Sequence, residues 1–172
     1  MSTPGVRVVH LGLDALAAGD LEAAAAASPV PLTPWLVSGD VIEIWRRRAW
    51  QVAETPGDQP WVTGLVWAED VGTEGVGAVV GRAGFHAAPD DDGMVEVGFA
   101  IDPAHRRRGY ARAAFEVLLD RARADPGVRT VRVTVSPTNE ASLGLVTQYP
   151  FVANGEQWDN EDGLELILEL AV

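Results

Sequence analysis

Arg106, Arg107 and Arg108 stand directly before Gly109 and Tyr110. They open a stretch in which Ala111, Ala114, Phe115, Leu118 and Ala122 are spaced as one buried helical face. A basic loop that enters a helix through a glycine can hold an anion. The first amides of a helix have no carbonyl of their own helix to bond, and the helix dipole places partial positive charge at that end. Gly109 permits close backbone approach and an unusual φ, and the small Ala111 keeps the next approach point clear. The arginine side chains can add charge-assisted hydrogen bonds. A solvated basic turn with an ordinary glycine would use the same residues, so the run alone leaves both readings open.

The remainder of the chain narrows the choice. Its 172 residues carry 13 basic and 25 acidic side chains, a net charge of −12, which argues against nucleic acid or a membrane surface as partner. All the basic residues are arginine. The absence of cysteine removes disulfides, thiolate metal sites and a cysteine nucleophile. The acidic run Asp90, Asp91, Asp92 reads as a solvated turn, so no metal site is expected. No apolar run approaches the ~18 residues of a membrane span, and residues 1–9 lack the pattern of a signal peptide. The expected location is the cytoplasm. Length and a 47% apolar content fit one domain over residues 1–172.

The elements that must position the loop can be read from periodicity and breakers. A strand is expected over 6–11, a helix over 13–27, a proline-rich connector at 29–34, and a helix from Ser38 or Asp40 to about Glu54. Val41, Trp45, Ala49 and Val52 form that helix's apolar stripe. Strands follow over 61–68 and 76–86, joined by an acidic, glycine-rich turn. In the strand 94–101, Val95, Val97, Phe99 and Ile101 alternate with Glu96, Gly98 and Ala100. After the basic loop and its helix come a strand over 128–135, a short helix over 139–147, and strands over 151–158 and 164–170. The class is α/β (α+β) with a mixed central sheet.

Neither G-x-x-x-x-G-K-[ST] nor G-x-G-x-x-G occurs, which removes the nucleotide-loop readings. Arg106-Arg107-Arg108-Gly109-Tyr110-Ala111 instead resembles the [Q/R]-x-x-G-x-[G/A] pyrophosphate loop of the GNAT superfamily of N-acetyltransferases. The stretch from Val95 to Pro103 resembles that family's fourth strand and the turn after it. Asn139-Glu140-Ala141-Ser142, followed by Tyr149-Pro150-Phe151, resembles the N-x-x-[S/A] helix and the downstream G-F strand start, with Pro150 where glycine is usual. The resemblance covers residues 61–170 clearly and the N-terminal third loosely. It is closest to the branch of ribosomal-protein N-terminal and small-amine acetyltransferases.

That resemblance implies a sheet of about six to seven strands splayed between the fourth and fifth, flanked by about four helices. It implies acetyl-CoA as co-substrate. Pantetheine would lie in the splay against the backbone of Phe99, Ala100 and Ile101. The backbone of Arg107, Arg108, Gly109, Tyr110, Ala111 and Arg112 would hold the pyrophosphate, with Arg106 beside it. Asn139 and Ser142 would sit near the pantetheine and the far end of the cofactor.

The chain departs from the family pattern at the general acid. The usual tyrosine position, seven residues after Asn139, is Val146. Tyr149 falls where an apolar residue is expected and reads as core packing. A thiol leaving group, of pKa about 8.5, can take its proton from solvent. Glu96, which projects away from Val95 and Val97, is the catalytic base candidate, a structural glutamate being the other reading. His86 is the runner-up base, while His10 and His105 look incidental. Trp35, Trp50 and Trp158 are candidates for an aromatic wall around a cationic acceptor. The expected activity is direct, acetyl-CoA-dependent transfer to a primary amine, either a protein N-terminus or a small amine, in a ternary complex. A non-catalytic acyl-CoA-binding sensor is the alternative. The expected partners are acetyl-CoA and the amine, without nucleic acid or membrane, and a homodimer is left open.

Overall fold

The computed structural model describes residues 4–69, 71, 77–160 and 163–172. The strands are β1 (Val6–Val9), β2 (Gly64–Ala68), β3 (Ala78–Phe85), β4 (Met94–Ile101), β5 (Thr130–Val135), β6 (Val152–Asp159) and β7 (Gly163–Ala171). They form one mixed sheet in the order β1-β2-β3-β4-β5-β7-β6. The helices are α1 (Asp14–Ala18), α2 (Leu21–Ala27), α3 (Gly39–Glu54), α4 (Tyr110–Ala124) and α5 (Glu140–Val146). The helix expected over 13–27 is two helices. Gly19 takes φ 75° at the end of α1, and Asp20 caps α2 by accepting the Ala23 N–H at 2.9 Å. The acidic turn expected between β2 and β3 lies largely outside the described residues.

The sheet separates two cores. On one face, α4 lays Ala114, Phe115, Leu118 and Leu119 against Phe85, Val95, Val97, Val131 and Val133. On the other, Leu16, Leu36 and Trp45 pack on Leu65, Trp67 and Val79. Trp45 is fully buried, and its indole N–H donates to the Leu36 carbonyl at 2.7 Å. A bulge in the β2–β3 ladder pairs Val66 with Gly81 but Trp67 with Val79, leaving Val80 as the extra residue. Val79 and Val80 enter opposite cores, as neighbours in a strand do, and the alternation breaks only after Val80. Beyond the bulge the phase of β3 is shifted, so that Ala83 and Phe85 face α4 while Arg82 and His86 face α3.

The feature that matters most for a site is where the sheet opens. β4 and β5 run parallel and pair at only three positions: Met94 with Thr130, Val95 with Val131 and Glu96 with Arg132. Past Glu96 the strands part. β4 stays paired with β3 through Ile101, and β5 with β7 through Val135. The facing edges of Val97–Ile101 and Val133–Val135 thus border a gap, as the resemblance implied.

Candidate active site

The loop from β4 to α4 is built by local bonds. Asp102 is buried and accepts the Ala104 N–H at 2.9 Å, starting a short 3-10 turn over Pro103–His105. Arg106 Nε donates to the Ile101 carbonyl at 3.1 Å and ties the loop back to the strand end. Arg107 and Gly109 both have positive φ, 62° and 86°. For arginine this is a sparsely populated conformation, of the kind concentrated at binding sites. The first internal bond of α4 runs from Ala113 N–H to Gly109 O at 3.0 Å. The amides of Ala111 and Arg112, ahead of it, have no carbonyl of their own helix within reach.

A cleft of about 770 Å³ opens at this helix start. Phe99, Ala100 and Ile101 line it from the parted edge of β4. Arg106, Arg107, Gly109, Tyr110, Ala111 and Arg112 line it from the loop and α4, and Asn139 and Ser142 from α5. Arg108 is exposed and is not part of this lining. His105, read from sequence as incidental, does line it. The Arg112 guanidinium donates to Gln148 Oε1, bridging α4 to the residues after α5 across the cleft. Asn139 caps α5 by accepting the Ser142 N–H at 3.1 Å.

On the α3 side of the same gap lies a second cavity of about 470 Å³. Phe99, Asn139 and Ser142 line both, so the two cavities meet there. Glu96, only 17% exposed, lines the second and accepts the Thr134 hydroxyl at 2.6 Å. His86 Nδ1 lies 3.3 Å from the same Glu96 oxygen. The His86 side chain is 45% exposed, and partial desolvation lowers its pKa against the pull of Glu96, with Arg48, Arg47 and Arg82 lowering it further. Gly98 lies beneath the imidazole, and a Cβ there would come within 2.9 Å of His86 Nε2.

Three other expected residues lie elsewhere. Trp50 and Trp158 are 69% and 75% exposed, Trp35 packs against the second core, and none of them lines the α3-side cavity. The aromatic wall is not formed. Arg47, Arg48 and Arg82 line that cavity instead. Sequence reading missed them, and the local signals are slight: Arg48 is a charge three residues after Trp45 on the buried stripe of α3, and Arg82 a charge among the small and apolar residues of β3. Val146 is fully buried. Tyr149 packs edge-on against Phe115 at 5.2 Å and donates to Glu116 Oε1 at 2.9 Å, lining neither cavity.

The family described as acetyltransferase (GNAT) domain matches residues 10–152. An uncharacterized N-acetyltransferase of Bacillus subtilis, YjdG, is 33% identical over 76 residues, 44% of this chain and 45% of the relative. The L-2,4-diaminobutyric acid acetyltransferase of Streptomyces coelicolor is 32% identical over 92 residues, 49% of this chain and 54% of the relative. The chain thus matches about half the length of these curated relatives. Among solved structures, the ribosomal L7/L12 α-N-protein acetyltransferase RimL with coenzyme A superposes with TM-score 0.66 at 14% identity, covering 99% of this chain and 96% of RimL. The spermidine/spermine N-acetyltransferase SpeG of Vibrio cholerae gives 0.64 at 13% identity, covering 96% and 93%. At such identities these likenesses show the fold.

Proposed function

The chain belongs to the GNAT acetyltransferase family, and from that premise we propose that it transfers an acetyl group from acetyl-CoA directly to a primary amine within one ternary complex. The observation that carries this reading is the meeting of the two cavities at Phe99, Asn139 and Ser142. The larger cleft suits acetyl-CoA: the parted edge of β4 can bond an extended amide chain, and the start of α4 with its arginines suits a pyrophosphate. Acetyl-CoA supplies the activated thioester. The named substrates of the relatives, diaminobutyric acid, spermidine and a protein N-terminus, share a primary amine. Residues 1–172 would act as one catalytic domain.

In this reading the amine nitrogen attacks the thioester carbonyl, the C–S bond breaks, and the sulfur leaves as a thiolate that takes up a proton. The attacking nitrogen must first lose its own proton. Glu96 accepts it, directly or through His86, whose depressed pKa keeps the imidazole neutral near pH 7. Ser142 carries the one hydroxyl where the cavities meet and can donate to the departing sulfur, a role hidden by the missing tyrosine at Val146. With no cysteine, a thiol-linked acyl-enzyme is excluded. Both reactants must then be held together. The test is thiol release from acetyl-CoA across a panel of free-N-terminal peptides, polyamines and amino acids. Amine-dependent release supports the proposal, and binding of acetyl-CoA without release under any amine favours the sensor reading.

A further inference from the structure

Three guanidinium groups on the wall of a cavity proposed to receive an ammonium are the least expected feature of this molecule. Arg82 comes from β3, and Arg47 and Arg48 from α3. Arg48 is 8% exposed, and its NH1 donates to Gln51 Oε1 at 2.7 Å and to the His86 carbonyl at 3.0 Å. The Nε atoms of Arg48 and Arg82 are both buried without a hydrogen-bond partner. Burial and the nearby charges of Arg48 and Arg47 push Arg82 down to about 10. Glu96 and Asp58 act on Arg48, whereas the charges that act on Arg82 are those of Arg48 and Arg47, a repulsion that a bound anion would offset. Resting on the acetyl-transfer reading above, we infer that the acceptor is a small amino-carboxylate, whose carboxylate is held by the arginines around Arg82 while its amine faces Glu96 and His86.

The layout of the cavity favours both halves of such a molecule. Arg82 and His86 lie on one face of β3, four residues apart, or about 13 Å of backbone rise. Between them the Thr63 backbone covers Gly84, where a Cβ would come within 2.6 Å of Thr63 Cα, and the His86 imidazole lies over Gly98. Arg82, Thr63, His86 and Gly98 all line the cavity, with cation and base set apart along β3. Glu96, Asp159 and Glu165 also line the cavity, matching its three arginines in number. A singly charged carboxylate beside an ammonium fits this balance better than a dianionic phosphate. Guanidinium forks also suit the two oxygens of a carboxylate.

The test uses acceptors that differ only in the carboxylate: ornithine against putrescine, lysine against cadaverine, alanine against ethylamine. With wild-type protein and acetyl-CoA, the carboxylate-bearing member of each pair should have a kcat/KM higher by about tenfold or more. In Arg82→Gln that ratio should fall below about threefold, with Arg82→Lys between. Folding is followed separately by thermal melting. Arg82→Gln without ligand should melt higher than wild type, because a repelled charge is gone. Ornithine alone should raise the melting point of wild type but not of Arg82→Gln. Efficient transfer in which putrescine matches or exceeds ornithine would overturn the carboxylate inference and leave acetyl transfer standing. No thiol release above the amine-free rate with any acceptor would instead remove the acetyl-transfer reading, and the ornithine melting shift would still decide whether the anion site exists.

Discussion

Glu96 occupies the point where strand pairing ends and the gap begins, held by the Thr134 hydroxyl at 2.6 Å and beside His86 at 3.3 Å. Glu96→Gln keeps its shape but removes the base, so kcat should fall by about 100-fold or more while acetyl-CoA affinity by calorimetry stays unchanged. A silent substitution between pH 6 and 9 withdraws Glu96 from the chemistry. At Gly109, φ 86° and the start of α4 leave a side chain neither comfortable backbone nor an uncharged setting. Gly109→Asp should weaken CoA binding by at least about tenfold, and near-native affinity in a folded variant would contradict the loop assignment. Alternation was enough to put Glu96 on the face opposite Val95 and Val97. It was not enough for Arg82, because the extra residue Val80 shifts the phase of β3 and nothing in the local pattern announces a bulge.

Among elements, β4 lines both cavities, and β5 and α3 line the second. The short parallel ladder forms where Val95 and Val131 share the α4 core, and the gap beyond is held open by partners on the outer edges, β3 and β7. Phe99 at the gap rests on Phe115 of α4 at 5.8 Å, and Phe115 also meets Tyr149 and Phe151. Phe115→Ala should therefore cost about 3–5 kcal/mol in denaturant unfolding, and a loss under about 1 kcal/mol would mean this aromatic block does not hold the two sides together. Gly98→Ala places a methyl within 2.9 Å of His86 Nε2. Turnover should fall with little change in CoA affinity, and the opposite split would put Gly98 in the donor cleft. The helix over 39–54 was legible from Val41, Trp45 and Val52. Its place on the wall of the α3-side cavity was not, because Arg47 and Arg48 acquire meaning only when β3 and β4 are placed beneath them.

Over the whole molecule, a net charge of −12 coexists with a concentration of arginine at the site. Arg106, Arg107 and Arg112 line one cavity and Arg47, Arg48 and Arg82 the other, six of the 13 basic residues. Composition reports the average field, and the fold sets the local one. The titrating groups make a further global prediction. His86 and His10 both have pKa values lowered from 6.5, chiefly by burial. The unfolded chain then binds more protons just below pH 6.5, so folding stability is fully present above 6.5 and is lost as pH falls toward the depressed values. The melting temperature should decline from pH 7.5 to 5.5, and His86→Gln should flatten part of that slope. An unchanged slope would mean His86 titrates as in the unfolded chain.

The meeting of two cavities at Phe99, Asn139 and Ser142 supports the proposal that donor and acceptor are held at the same time. Initial velocities of thiol release, measured over a grid of acetyl-CoA and ornithine concentrations, test it most directly. Amine-dependent release with reciprocal plots that intersect is expected. Parallel plots, or no release above the rate without amine for any acceptor in the panel, would contradict it.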